Sequence, residues 1–277
     1  MSKKGSVAES NNFEMVIHSA MELPGVKIDR EKFLRKELSK FFDENVVDKA
    51  IDTNPAQAGL SIKNLDRIAK SCINYETAKV TAISTAAGIP GGLAMLGTVP
   101  ADIAQFFGHI IRVLQKLAYL YGWPEMFQGD DKGLDDETTN QIVLFVGVMF
   151  GVNAANVAIT KIASSAAARA EKVLVQKALT QGTIYPIVKK VAQVLGIKMT
   201  KEVFAKSIGK FIPIVGGVVS GGVTFFGFRP MTMRLQKYLK TLPLASVDFY
   251  KKAIFDDNIV DVDFSDIEVE DIAGEDE

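Results

Sequence analysis

The stretch VTAISTAAGIPGGLAMLGTVPADIAQFFGHIIRVLQKLAYLYGWP, residues 80–124, decides how this chain is read. Its first part, Val80 to Ala101, runs for 22 residues without Asp, Glu, Lys or Arg and is punctuated by Pro90, Pro100 and the glycines at 88, 91, 92 and 97. Its second part has the pattern of an amphipathic helix. Pro100 suits a first helical turn, where its missing N–H is not needed, and Asp102 complements the positive end of the helix dipole. The helix is expected to run to Tyr121 and to stop at Gly122-Trp123-Pro124.

Within that helix Asp102, Gln105, His109, Arg112 and Lys116 recur at i, i+3, i+7, i+10 and i+14. At 3.6 residues per turn they fall within about 80° of arc. Phe107, Ile110, Ile111, Leu114, Leu117, Ala118 and Tyr121 take the opposite side. Two readings of the stripe stay open. It is the solvated face of an ordinary amphipathic helix, or it points inward as a binding site. In the second case Asp102 is a carboxylate, His109 a proton donor or acceptor, and Arg112 an anion clamp. Arg229, at the end of another charge-free run, either snorkels to an interface or pairs with an acid such as Asp102.

Two further charge-free runs follow, Asn140 to Thr160 (21 residues) and Phe211 to Phe228 (18 residues). Each approaches the ~20 residues that a bilayer-crossing helix needs. None is a clean span, because Pro, Gly or Asn interrupts every one. The Gly147/Gly151 pair and the Gly216-Gly217/Gly221-Gly222 pairs have the spacing that lets helices approach closely. The runs therefore belong either in a tightly packed helical core or, for at least one of them, in a membrane.

The rest of the chain reads as helix. An amphipathic segment starts at Asp29, and Ser61 is placed to cap another carrying Ile62, Leu65, Ile68, Ala69, Cys72, Ile73 and Tyr75 on one broad face. More helices are expected over residues 161–181, 183–196, 200–210, 229–242 and 247–255. The expected fold is all-α: a compact multi-helix bundle with Gly/Pro-interrupted apolar central helices and an acidic C-terminal tail. Residues 1–60 read as an N-terminal helical extension, 61–245 as the main helical domain and 246–277 as the tail. Within the tail, Val260, Val262 and Phe264 alternate with acids, the pattern of a short strand or of a linear motif that folds on a partner.

Composition narrows the function. In 277 residues, 48% are hydrophobic and 23% charged, which excludes a largely disordered chain. One cysteine and two histidines argue against a disulfide framework or a structural zinc site, and neither metal nor cofactor is expected. No phosphate-binding, dinucleotide-binding, zinc-protease, CxxC or GxSxG signature occurs. Asp130, Asp131, Asp135 and Asp136 do not follow the calcium-loop spacing, and the basic residues form no dense stripe for nucleic acid. Asp256 to Glu277 holds eleven acids and no base, so the body keeps 22 acids against 32 bases, a formal charge of +10. A basic body favours an anionic surface, with the tail as intramolecular competitor or partner-binding segment. The first residues carry no secretory or myristoylation pattern and the last no prenylation cysteine.

The segment AAGIPGGLAMLGTVPADIAQFFGHIIRVLQKLAYLYG (Ala86 to Gly122) resembles the signature region of the EcsC protein family. There a Gly/Ala/Pro-rich segment leads to Pro-x-Asp, then Arg, then Tyr-Gly, here Pro100, Asp102, Arg112, Tyr121 and Gly122. IPIVGGVVSGGVTFFGFRPMTMRLQKYL (Ile212 to Leu239) is similar to that family's second hallmark. The likeness covers residues 60 to 245 and leaves the tail outside. It implies a mostly helical bacterial protein, cytoplasmic and peripheral to or inserted in the inner membrane, of a family named for a protein encoded beside an ABC transporter and without an established activity. The leading expectation is a non-enzymatic, membrane-associated protein that binds anionic lipid, is accessory to a transporter or perturbs membranes, and meets a protein partner through its tail. The alternative is an enzyme or ligand-binding protein acting on a phosphate-bearing or lipid-like molecule at Asp102, Gln105, His109, Arg112 and Arg229.

Overall fold

The computed structural model describes residues 13–87, 101–127, 135–169, 178–179, 182–198, 220–252 and 263–267. Most of the first charge-free run (88–100), the start of the third (211–219) and the expected helix over 200–210 lie outside the described residues. Among those described, the chain is helical throughout, as expected. The helices are α1 (residues 13–21), α2 (Arg30–Leu38), α3 (Glu44–Asp52), α4 (Ile62–Ala87), α5 (Ala101–Leu120), α6 (Asp136–Met149), α7 (Asn153–Arg169), α8 (Tyr185–Lys198), α9 (Ser220–Leu239) and α10 (Val247–Lys252).

Local chemistry sets several starts. Asp29 caps α2 by accepting from the Lys32 amide at 2.9 Å, and Asp135 caps α6 by accepting from the Thr138 amide at 2.7 Å. Packing does the rest. α4 lies against α5 and α9, α9 also against α5 and α6, and α6 against α7 and α8. Phe13, Ile17, Leu34 and Leu38 of the first 60 residues share one buried apolar cluster with Ile110, Leu114, Phe145 and Ile159.

Two helices end in the same way, and that ending shapes the core. At the end of α5 the Trp123 amide reaches the Ala118 carbonyl and the Gly122 amide reaches that of Tyr119. At the end of α6 Val152 and Gly151 bond to Gly147 and Val148 in the same pattern. Both are glycine-closed helix ends, with Gly122 at φ +95° and Gly151 at φ +76°. The consequence for α5 is that Trp123 swings inward and meets the Phe145 ring edge-on at 4.9 Å.

For the second charge-free run the consequence is larger. Asn140 to Thr160 is not one rod but a hairpin of α6 and the start of α7, with every residue from Asn140 to Met149 buried. Gly147 and Gly151 accordingly do different work. A Cβ on Gly147 would stand 2.7 Å from both the Ala155 Cβ and the Val191 Cγ1, so Gly147 admits α7 and α8, whereas Gly151 turns the chain. Buried Asn140 donates to the Leu179 carbonyl at 3.1 Å. Among the described residues no helix is long and apolar enough to cross a membrane.

α9 differs from its sequence expectation, which starts a helix at Arg229. It begins at Ser220 and carries Pro230 in its interior. Pro230 is exposed, so its ring meets solvent, and the Thr232 hydroxyl donates to the Arg229 carbonyl at 2.8 Å. The expected helix over 247–255 is described as α10 up to Lys252, and its last three residues lie outside the described residues.

Gly122 and Gly59 both have positive φ, at +95° and +89°, but only Gly122 is crowded: a Cβ there would sit 2.4 Å from the Leu244 carbonyl oxygen. Gly122→Ala is expected to lower unfolding free energy by about 2–4 kcal/mol, and Gly59→Ala by about 1 kcal/mol. Urea denaturation of the two variants measures the difference.

Candidate functional site

α4 and α5 lie side by side, and one carboxylate sits between them. Glu76 of α4 is wholly buried. The α5 stripe closes on it from the other helix. Lys116 Nζ donates to Glu76 Oε1 at 2.5 Å, Arg112 Nε to the same oxygen at 3.4 Å, and His109 Nδ1 lies 3.2 Å from Oε2. At His109, Arg112 and Lys116 the stripe therefore faces inward, toward Glu76. His109 is buried, and the side chains of Arg112 and Lys116 keep 18% and 12% of their exposure.

Burial alone would push the Glu76 carboxyl up. The His109 hydrogen bond, the Lys116 charge and hydrogen bond and the Arg112 charge outweigh it and hold the group at about 2. Glu76 is thus a carboxylate at neutral pH. Among the described contacts one carboxylate, Glu76, meets both basic side chains, Arg112 and Lys116.

The stripe on α5 does not by itself point to Glu76. The acid its pattern offers is Asp102, whose side chain lies outside the described residues. Gln105 is half-buried one turn before His109, and Arg229 is half-buried on α9. A signal for Glu76 did exist. Leu65, Ala69, Cys72, Glu76 and Val80 follow the i+3/i+4 rhythm of the buried face of α4, and all five are buried. Tyr75, placed on that face by its apolar ring, is 59% exposed instead. An acid in an apolar register marks a buried ion pair, and the partner comes from another helix.

The rim of the cluster has its own construction. Buried Gln115 accepts from the Ile28 amide at 2.8 Å and donates to the Val26 carbonyl at 2.9 Å, which ties the segment before α2 to α5. That segment brings Gly25, at φ +73°, to the Arg112 guanidinium, so close that a Cβ would stand 3.2 Å from Nη1. On the other side Lys116 Nζ lies 5.4 Å from the centre of the exposed Tyr75 ring. Arg112 and Lys116 thus sit in an edge bounded by a bare backbone turn and an aromatic ring.

Two other polar clusters brace this frame. Asp66 of α4 accepts from Tyr121 at 2.6 Å, from Lys240 at 2.9 Å and from Gln236 at 3.2 Å, joining α4, the end of α5 and α9. Burial and that contact with Asp66 raise the Tyr121 hydroxyl well above its ordinary range, so it stays protonated, donating to Asp66 while accepting from Gln236 Nε2 at 3.1 Å. Buried Arg30 donates to the carbonyls of Trp123, Ile51, Ala50 and Thr53 and so closes the C-terminal end of α3. Cys72 is buried, and desolvation with the nearby Glu37 charge pushes its thiol up to about 12, which makes it inert. Among the described residues no group of three His, Cys, Asp or Glu could hold a metal ion.

Comparison with known proteins returns no matching family model, no matching curated protein and no matching solved structure.

Glu76→Gln removes the one charge that neutralises the cluster and leaves buried cations facing each other. It is expected to cost roughly 3–5 kcal/mol in urea denaturation. The pH dependence has a definite sign. With its folded value depressed to about 2 from an ordinary 4.5, Glu76 stabilises the fold above pH 4.5, and that contribution is lost as pH falls toward 2. The variant's stability should vary less with pH across this window than that of the unaltered protein.

Proposed function

We propose that this chain is a non-enzymatic, membrane-associated protein that binds the phosphate-bearing headgroup of anionic lipid at Arg112 and Lys116. The observation that carries the reading is the charge imbalance around Glu76: two permanent cations share one buried carboxylate and keep part of their surface at a rim. A guanidinium fork beside a side-chain-free turn suits a phosphate oxygen, and Lys116 adds a point charge from the neighbouring turn. Glu76 positions both cations and keeps their long side chains from relaxing into solvent.

The body's formal charge of +10 supports the same reading, because the cytoplasmic leaflet carries a negative surface potential that attracts such a surface. The resemblance to the EcsC family adds the setting: the cytoplasmic side of a bacterial inner membrane, beside a transporter. A second reading rests on the shelter of the cations. Side chains exposed by only 18% and 12% also suit a small soluble phosphate ester that enters the rim.

Vesicle flotation tests the proposal. The protein should float with vesicles containing phosphatidylglycerol and not with neutral ones, and binding should weaken as salt rises. Arg112→Gln and Lys116→Gln should each weaken binding about fivefold, near 1 kcal/mol per surface cation, with thermal melts showing intact folds. Flotation unchanged in both variants overturns the assignment of the site. Glycerol phosphate binding that both variants abolish, without flotation, selects the second reading.

A further inference from the structure

Part of the acidic tail docks on the helical body. Residues 263–267, Asp-Phe-Ser-Asp-Ile, lie against the helical body. Phe264 is 2% exposed and belongs to the same apolar cluster as the central helices, with Ile267 packed against that cluster. The segment carries its own turn: the Ser265 amide donates to Asp263 Oδ1 at 2.8 Å and the Ile267 amide to the Phe264 carbonyl at 3.2 Å. Lys161 of α7 fastens it from outside, donating to the Asp263 carbonyl at 2.6 Å and to the Asp266 carboxylate. One basic side chain of the body therefore reads both a main-chain oxygen and an acid of the tail, on either side of a buried aromatic ring.

We propose that residues 263–267 form an intramolecular latch, with Phe264 as anchor and Lys161 as clasp, that tethers the acidic tail to the basic body, where it competes with anionic membrane. The slot on the body is specific for an acidic segment with one aromatic anchor. The ring supplies most of the holding energy, since a buried aromatic ring is worth far more than an exposed ion pair. The surrounding acids supply the competition, because they reach any cation within about a Debye length, roughly 8–10 Å, of their tether. Release uncovers Lys161 and unfastens a tail whose sequence carries eleven acids. The functional half of this inference rests on the lipid reading above, whereas the docking half stands on the contacts alone.

The experiment uses the full chain with Phe264→Ala, which leaves every charge in place. Hydrogen exchange at the Ser265 and Ile267 amides should accelerate about tenfold or more, while exchange in α4 and α5 stays unchanged. Binding to phosphatidylglycerol vesicles at low salt should rise about threefold or more, and Phe264→Leu should restore most of the restraint. Asp266→Asn tests the clasp at an exposed position that folding does not depend on. It should act in the same direction and more than Asp276→Asn, which changes charge equally outside the docked segment. Unchanged exchange in both Phe264→Ala and Asp266→Asn overturns the latch. Faster exchange with unchanged binding, in a chain whose binding depends on Arg112 and Lys116, overturns the competition and leaves the lipid site standing. If neither the unaltered chain nor the released variant binds anionic vesicles, the lipid reading fails and the competition fails with it.

Discussion

A carboxylate with no solvent must keep its counter-charges, and that constraint organises this protein. Glu76 is enclosed between α4 and α5, and Lys116, Arg112 and His109 meet it from successive turns of one helix face. The geometry sets the register of the two helices, because sliding either one by a turn would leave a buried charge without its partner. Such an arrangement adds little net stability over an apolar contact, yet removing one side of it is costly. What the arrangement secures is a single alignment of α4 against α5 and a pair of cations held at the rim. The same alignment carries the Asp66 network to the far end of α5, so one helix pair positions both polar clusters.

Glycine decides how the apolar sequence is used. Gly122 and Gly151 each close a helix in the left-handed conformation and send the next residue back over the core. In α5 this delivers Trp123 to Phe145; after α6 it starts α7 and turns 21 uncharged residues into a buried hairpin. Gly147 lets three helices meet at a point where even a methyl group would collide. Small residues thus serve as turn and as clearance, two roles that one spacing pattern does not separate.

The charge asymmetry of the chain has a structural counterpart. A body rich in cations meets a tail rich in acids, and a buried phenylalanine fixes where they touch. On the proposed reading, anionic lipid, or another phosphate-bearing ligand, would compete with this tail for the same basic body. The strength of that rivalry scales with ionic strength, while the aromatic anchor does not.

Much of the architecture was readable before any coordinates. The helical period, the start at Asp29, the stop at Gly122 and the stripe on α5 follow from spacing and side-chain chemistry acting over a few residues. The stripe could not be oriented from its own helix, because a polar arc faces water or a buried partner with the same periodicity. Likewise Glu76 was visible as an acid in an apolar register, but its three partners stand 33 to 40 residues away. Whether the second charge-free run crosses lipid or folds on itself was equally undecided, since the energy of leaving water is the same for both. Sequence alone determined the helical period, the end of α5 and which stretches must avoid solvent, since those are local matters of backbone geometry and transfer from water. Only the tertiary structure decided what each sheltered group meets, because the partners of Glu76 and Phe264 come from distant turns whose proximity is a property of the packed bundle.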